Sequence, residues 1–259
     1  MCKSYNIYKR CVYAIVIILV NTSPVSANVI DIVEYSSFIN AAEFGPTSLQ
    51  HTQIGYSYDD YTGAGMGVDF TNSLSSANYG AVSWKVSNLT SLTLHNVWFF
   101  GFLDAHIDET TTSFFNETGD ASNLVLGIGS GDVKADAWEI DEPGYLFGDI
   151  FTNLLNGALD NTNGLLGIED DASMALGFDV GTLLPTESIL VTFDISLTNN
   201  GGLYHYDSVS NFGFYFNGSA RILSDSVTIP ESSALLLISL GGVLLLRMNC
   251  NSSRKTAKI

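Results

Sequence analysis

Cysteine is almost absent from this chain of 259 residues, and its three cysteines lie near the two ends. Cys2 and Cys11 precede residue 28, and Cys250 lies close to the C-terminus. The long segment between them therefore has no disulfide, no thiol nucleophile and no thiolate ligand for a metal ion. A domain built from that segment depends on its apolar core for stability, and bound cations are the other source open to it.

Basic residues are also scarce. The chain has 10 of them against 27 acidic residues, which gives a net charge of −17. Between residues 28 and 231 only Lys85, Lys134 and Arg221 accompany all 27 acids, so that segment carries a net charge of −24. Such a charge repels phosphate backbones, and we expect no nucleic-acid partner. Frequent aromatic and β-branched residues distinguish the segment from acidic disordered chains, which predicts that it folds.

No apolar run reaches the roughly 20 residues of a comfortable membrane span. The first run extends from residue 11 to residue 20 and follows Arg10 and two lysines. Val25 and Ala27 then supply the small residues that signal peptidase recognises. This order is typical of a secretory signal peptide, so residues 1–27 are predicted to be removed by cleavage after Ala27. An uncleaved N-terminal anchor is the alternative.

The second apolar run lies near the C-terminus. It covers 13 uncharged residues from Ala234 to Leu246, preceded by Pro230 and Glu231 and followed by Arg247. Three more basic residues follow before the end of the chain. Positive residues are retained on the cytoplasmic side of a membrane, so the preceding domain is expected outside it. A run this short suits a segment that is held in the membrane briefly and then cut.

This arrangement resembles the PEP-CTERM sorting signal, the C-terminal tag of exosortase substrates in Gram-negative bacteria. Pro230 and Glu231 match the first two motif positions, Arg247 matches the first basic residue, and Ser232 stands where the family has a second proline. The resemblance divides 229–259 into the motif, an apolar transmembrane helix at 232–246 and a basic tail at 247–259. It implies an inner-membrane intermediate that an exosortase-type enzyme processes. The product would be a cell-surface or matrix protein associated with exopolysaccharide and biofilm. A plain membrane-anchored surface domain is the alternative.

Short alternating apolar runs dominate residues 28–228. In "LVTFDISL" at 190–197, every second side chain is apolar, as in a half-buried strand. Clusters of Gly, Asn, Ser, Thr and Asp separate such runs, which predicts an all-β fold: a single jelly-roll-like β-sandwich domain with one short helix. The other predicted strands cover 65–70, 80–86, 91–102, 123–128, 173–178, 212–216 and 219–228, and 41–66 is predicted to be a long loop.

One stretch, at 141–160, has helical spacing instead. Leu146, Ile150, Leu154 and their apolar neighbours recur at intervals of three and four residues. Acidic residues and a proline at its start favour a helix N-terminus. We therefore predict a helix of about three turns, packed on an edge or an end of the sandwich.

The best candidate for cation binding is "DNTNGLLGIEDD" at 160–171. Asp160, Asn163, Asp170 and Asp171 offer oxygen ligands of the kind that Ca²⁺ prefers, around a glycine-containing turn. The spacing differs from that of an EF-hand, and an ordinary turn after a helix is the alternative. Ca²⁺ is the only cofactor that the sequence suggests.

Motifs that carry catalytic chemistry are absent, and we predict a non-catalytic protein. In "DAHID" at 104–108, Asp104, His106 and Asp108 would share one face of a strand, but a metal site needs further ligands that the sequence does not identify. A solvated strand end is the alternative. Adjacent acids such as Asp141 and Glu142 are expected by chance in so acidic a chain.

A carbohydrate-binding module is the main alternative to a purely structural surface protein. Aromatic side chains stack on sugar rings, and an extended row of exposed ones would favour such a module, whereas their burial would favour packing. The candidates are Tyr56, Tyr58, Tyr61, Trp98, Trp138, Tyr204 and Tyr206. In this alternative, Ca²⁺ would order the loops around the sugar.

Overall fold

Strands form most of the regular structure in the computed structural model, which describes residues 29–108, 110, 112–127, 133–144 and 146–223. The strands are β1 (Ile30–Asn40), β2 (Leu49–Ile54), β3 (Met66–Asn72), β4 (Gly80–Asn88), β5 (Leu94–Ile107), β6 (Glu117–Asp120), β7 (Val133–Lys134), β8 (Ala137–Asp141), β9 (Ser173–Leu183), β10 (Ser188–Ser196), β11 (Leu203–Asp207) and β12 (Phe212–Leu223). One α-helix, α1, covers Ile150–Leu155, and 3₁₀ turns occur at Ala42–Phe44 and Phe114–Asn116.

These strands form two antiparallel sheets. The five-stranded sheet has the order β2-β1-β5-β9-β8. The seven-stranded sheet has the order β3-β4-β10-β12-β11-β6, with the short β7 also paired to β12. Neighbouring strands in both sheets run antiparallel. The predicted all-β class with one short helix is confirmed.

Aromatic side chains from both sheets form the core between them. The ring of Phe193 on β10 lies 5.8 Å from Trp84 on its own sheet and 6.2 Å from Tyr35 on the opposite sheet, measured between ring centroids. Opposite Phe193, β5 has Gly101, and a Cβ atom there would lie 2.1 Å from the Phe193 ring. Glycine at this position therefore leaves the space that the ring fills, and the all-β architecture is sandwich-like.

The helix is shorter than predicted, with six residues instead of about three turns. Gly148 and Gly157 limit it, because their φ values of 76° and 69° interrupt the right-handed helical conformation. The predicted apolar face is correct within the helix, since Ile150 and Leu154 are buried. Leu146, in contrast, lies before the helix and is exposed.

Two other local predictions were wrong. Residues 123–127 form no strand, and Val125 and Leu126 are nearly half exposed. The segment 41–66 is not only a loop, because it contains β2, whose residue Thr52 is buried. Strands β1, β6, β7, β8 and β11 were not predicted at all.

The predicted signal peptide, its cleavage after Ala27 and the sorting motif of Pro230, Glu231 and Arg247 lie outside the described residues. Within the part of the chain that the structure describes, no helix has the length and apolar character needed to cross a membrane.

Candidate functional site

The outer face of the five-stranded sheet changes from apolar to polar along its strands. Phe38, Phe100 and Phe102 lie on this face in one apolar cluster with α1. Asp104 and His106 follow on β5 and point to the same side, because side chains alternate along a strand. The helix thus covers the apolar part of the face and leaves a polar part beyond it.

A polar row crosses the sheet at the level of Asp104. Glu34 on β1 lies opposite Asp104, Ser173 on β9 lies on its other side, and Asp141 on β8 lies opposite Ser173. Glu34 is almost buried and accepts hydrogen bonds from the hydroxyl of Ser36 and, at 3.3 Å, from the amide of Gln50. Three of the four residues in the row are therefore acidic.

Beside this row, Asp104, His106 and Asp171 form a compact group. The Nε2 atom of His106 lies 3.2 Å from Oδ1 of Asp171 and 3.8 Å from Oδ1 of Asp104. One ligand-type atom from each of the three residues lies within 4.8 Å of the others. The His106 ring stacks on Phe114, with centroids 5.3 Å apart and planes 24° apart. This contact holds the imidazole in place.

The environment of this group shifts two pKa values upwards. Burial, together with the charge of Asp171, raises the pKa of Asp104 to about 7. Burial alone would lower the pKa of His106, but the hydrogen bond with Asp171 and the charges of Glu117 and Asp104 raise it to about 9. The main cause of the raised pKa is burial for Asp104 and the surrounding carboxylates for His106.

Further buried polar groups lie just below, between the two sheets. The Oε1 atom of Glu117 accepts a hydrogen bond of 2.9 Å from the backbone N–H of Ile107. Its Oε2 atom lies 3.1 Å from Nε2 of His205, close enough for an ion pair, although the two atoms are not aligned for a hydrogen bond. Asp207 is also fully buried. The core therefore ends in a polar cluster on the side where the candidate site lies.

A cleft of about 460 Å³ opens next to the group. Its lining includes Phe114, Phe115, Glu142, Phe147, Asp170 and Asp171. Phe115 and Phe147 are mostly exposed at its rim, and Asp171 belongs both to the cleft and to the group around His106. Apolar walls beside carboxylates suit a ligand that combines an apolar surface with cationic or hydroxyl groups.

A second carboxylate group consists of Glu139, Asp149 and Asp160. Glu139 is 1% exposed, and its two oxygens accept hydrogen bonds from the Asn153 amide, at 3.0 Å, and from the backbone N–H of Asp160, at 3.3 Å. Burial raises the pKa of Glu139 to about 8 in spite of these bonds. Asp149 and Asp160 are exposed.

The four residues of the predicted calcium segment are placed differently from one another. Asp160 joins the group around Glu139, and Asp171 joins the group around His106. Asn163 donates to the carbonyl of Gly119 at 2.7 Å and accepts from the N–H of Leu165 at 3.0 Å. Asp170 lines the cleft. Calcium binding by this segment as a single site stays a prediction.

The histidine motif at 104–108 is divided by the end of β5. Asp104 and His106 share a face as expected, whereas Asp108 follows the strand with a φ of 50° and accepts a hydrogen bond of 2.9 Å from Thr110. The additional ligand-type residue that the sequence did not identify is Asp171, which lies 65 residues further along the chain.

The outer face of the seven-stranded sheet is very different. Ser83 and Thr192 form a cross-strand hydroxyl pair with 2.9 Å between their oxygens. Tyr204, Tyr206 and Tyr215 form an aromatic cluster at one end, with ring centroids 6.1 Å apart for Tyr204–Tyr206 and 4.7 Å apart for Tyr204–Tyr215. All three tyrosines are partly exposed, and the Tyr206 hydroxyl donates to Asn211 at 2.6 Å.

The other aromatic candidates serve mixed roles. Tyr61 is fully buried, whereas Tyr56 is 92% exposed and Tyr58 is half exposed. Trp98 and Trp138 are partly buried, and Trp98 stacks on Phe100 with centroids 5.7 Å apart. Only Tyr204 and Tyr206 from the predicted set share one surface cluster, which Tyr215 completes.

Comparison with protein-family models, with curated proteins and with solved structures finds no match to this chain.

Proposed function

We propose that the protein is an exported, non-catalytic surface or extracellular-matrix protein whose seven-stranded sheet binds neutral polysaccharide on its outer face. The predicted signal peptide at 1–27 and the exosortase-type sorting segment at 229–259 support export through the inner membrane of a Gram-negative bacterium. Five crossings of the chain between the sheets support a jelly-roll-like assignment of the sandwich.

The tyrosine cluster is the observation that carries the binding proposal. Tyr204, Tyr206 and Tyr215 are partly exposed rings on one side of the sheet, beyond which lie the polar side chains of Asp194 and Asn217. Aromatic rings pack on the C–H faces of sugars, amide groups donate hydrogen bonds to sugar hydroxyls or accept from them, and carboxylates accept from them. The combination suits a glycan chain lying along the sheet.

The negative charge of the protein determines which polysaccharides it can bind. With 27 acids and three bases between residues 28 and 231, the protein repels uronic-acid or sulfated polymers. A neutral hexose polymer avoids this repulsion. We therefore expect retention by neutral glycans such as dextran or a β-glucan and little retention by alginate.

Affinity electrophoresis of the full-length chain in gels that contain these polymers tests the proposal. Neutral glycan should slow the protein, and Tyr206→Ala and Tyr215→Ala should each weaken retention by about tenfold, the size expected for the loss of one stacked ring. Tyr56→Ala removes a tyrosine outside the cluster that is 92% exposed, more than either cluster residue, and is the control. Equal effects of all three changes, or retention by no glycan, would refute the proposal. Release of reducing ends from the polymer would contradict the non-catalytic assignment.

The intact mass of the protein recovered from its own host tests the sorting part. A C-terminus near residue 231, or one modified by a polymer, is the expected result. A chain that still ends at Ile259 and stays in the inner membrane would instead establish a plain membrane-anchored surface domain.

A calcium-assisted carbohydrate-binding module is the second candidate. The convergence of Glu139, Asp149 and Asp160 is the observation that favours it, because three carboxylates provide the hard oxygen ligands that Ca²⁺ prefers. In this form of the proposal, glycan retention depends on Ca²⁺ and falls in Asp160→Asn. Retention that chelator leaves unchanged would reject calcium assistance while leaving the tyrosine surface intact.

A further inference from the structure

We propose that Asp104, His106 and Asp171 bind a divalent first-row transition-metal ion, with Zn²⁺ as the probe that defines the site. The site is independent of the glycan surface, because its residues lie on the other sheet or in the segment leading to it. Its failure and the failure of the polysaccharide proposal are therefore separate results.

The spacing of the three side chains fits a metal ion. Two ligands that are each about 2.1 Å from a tetrahedral Zn²⁺ lie about 3.4 Å apart. The His106 Nε2 atom lies 3.2 Å from Oδ1 of Asp171 and 3.8 Å from Oδ1 of Asp104. Movements of a few tenths of an ångström would therefore bring the His106 nitrogen and either carboxylate oxygen to the separation of two zinc ligands, and ligand-type atoms of all three residues lie within 4.8 Å of one another. One imidazole with two carboxylates is a ligand set that suits zinc.

The second observation concerns Asp104 itself. It is 3% exposed, and its Oδ1 atom, which faces His106, has no hydrogen-bond partner among the described residues. Buried carboxylate oxygens are normally hydrogen-bonded or coordinate a metal ion, because an unpaired one has lost its hydration without compensation. An ion between Asp104, His106 and Asp171 would satisfy this oxygen.

The distribution of charge also calls for an external cation. Glu34 and Glu117 lie close to Asp104, and Asp170 and Glu142 line the cleft next to Asp171. All three basic residues between positions 28 and 231 belong to strands of the seven-stranded sheet: Lys85 to β4, Lys134 to β7 and Arg221 to β12. The strands of the five-stranded sheet contain no lysine or arginine. No side chain of that sheet other than a histidine can therefore neutralise its carboxylates.

The chemistry of the ligands favours a transition metal over Ca²⁺. An imidazole nitrogen suits zinc and its neighbours in the first transition row, whereas Ca²⁺ prefers oxygen ligands alone. Three protein ligands leave at least one coordination position open, and Asp171 lies at the wall of the cleft. A water molecule or a ligand oxygen in the cleft could occupy that position.

Isothermal titration of the chelator-treated full-length chain with Zn²⁺ tests the site directly. We expect one equivalent to bind. His106→Gln and Asp171→Asn should each reduce the affinity by at least about 100-fold, since each removes a direct ligand, and changes even to the groups behind such ligands typically cost 10–100-fold. Asp170→Asn removes a carboxylate from the same cleft and should change the affinity by less than about threefold. Titration with Co²⁺ supplies a second readout, because its visible absorption reports a bound nitrogen ligand that His106→Gln should remove.

Thermal unfolding distinguishes a metal ligand from a merely structural residue. Zn²⁺ should raise the Tm of the parent protein, and Asp104→Asn should abolish that rise while leaving the Tm of the metal-free protein equal or higher, since it removes a buried charge. Failure of Asp104→Asn to fold would leave the decision to His106→Gln and Asp171→Asn. No Zn²⁺ binding, binding that these variants leave unchanged, or binding that only Glu139→Gln removes would each overturn the proposal.

Discussion

The two outer faces of the sandwich differ in how deeply they bury their polar residues. On the five-stranded sheet, α1 covers Phe100 and Phe102, and the same face continues into the nearly buried residues Asp104 and His106. On the seven-stranded sheet, the outer face has a partly buried hydroxyl pair and partly exposed tyrosines. Burial makes each polar group on the covered face dependent on specific partners, whereas solvent can replace partners on the open face.

This difference separates two kinds of function. A covered acidic site can select an ion by ligand type and geometry, because water is largely excluded and the ligands are held by packing. An open face with stacked rings can only offer a shallow surface, which fits a long polymer better than a small ion. The metal proposal and the polysaccharide proposal each use the face with the matching property.

The largest expected difference between the faces concerns aromatic side chains. Phe102→Ala removes a fully buried ring that contacts Phe151 of α1 with centroids 6.1 Å apart. We expect a loss of about 3–5 kcal/mol in the free energy of unfolding, from lost burial and the cavity that remains. Tyr206→Ala, on the open face, should cost about 1 kcal/mol, mainly through its hydrogen bond to Asn211. Chemical denaturation of both variants measures the contrast, and similar losses would contradict it.

The second contrast concerns pH. In the unfolded chain Glu139 ionises near pH 4.5, whereas burial raises the pKa of its carboxyl to about 8 in the folded protein. The unfolded state therefore loses its proton first, and the stability that the neutral carboxyl contributes is lost as the pH rises from about 4.5 to about 8. Asp104 acts in the same direction, with a folded pKa of about 7. We expect the metal-free protein to lose stability over this range and Glu139→Gln to flatten the profile.

An exposed carboxylate provides the control for this pH profile. The hydrogen bond from the Thr62 hydroxyl to Asp59, at 2.6 Å, lowers the pKa of Asp59 below its ordinary value of 3.8. Its contribution is present above that value and is lost only as the pH falls through the lowered pKa. Asp59→Asn should therefore change the slope between pH 5 and pH 8 much less than Glu139→Gln does, and only through the loss of the Asp59 charge beside His51. Unfolding midpoints across the pH range test both variants, and an unchanged slope in Glu139→Gln would be the contrary result.

Alternation predicted some strands that bury only one face, although it missed β11, whose buried residues include the polar His205 and Asp207. β10 and β4 alternate between apolar and polar residues, because one side of each lies in the core and the other on the open face. β1 was missed because it is an inner strand of its sheet, between β2 and β5, and both of its faces are largely covered. Its polar residues Ser36 and Ser37 are therefore buried together with its apolar ones. Alternation fails as a signal wherever both faces are covered.

The candidate site was predictable only in part for a similar reason. The spacing of Asp104 and His106 identified two side chains on one face of a strand, and the structure places them so. Asp171 reaches His106 because β5 and β9 pair in antiparallel register, in which Asp104 lies opposite Ser173 and two residues further bring Asp171 beside His106. The register between two strands that are so far apart in the chain cannot be deduced from any local sequence pattern.

The smallest expected effect is a difference in coupling energy between two hydroxyl pairs, one on each face, which are closely matched in chemistry. Ser83 and Thr192 form a hydroxyl pair with 2.9 Å between oxygens on the open face, and Ser36 and Thr52 form one of 2.8 Å on the covered face. Double-mutant cycles with alanine should give a coupling of about 0.2–1 kcal/mol for the open pair, as for other cross-strand pairs. The covered pair should couple by about 1–3 kcal/mol, because water cannot replace a lost partner there. The cycle cancels the separate bond from Ser36 to Glu34, which is lost in both variants that lack Ser36. Equal couplings would mean that solvent reaches both pairs alike, and the distinction between a covered site for an ion and an open surface for a polymer would then lose its energetic basis.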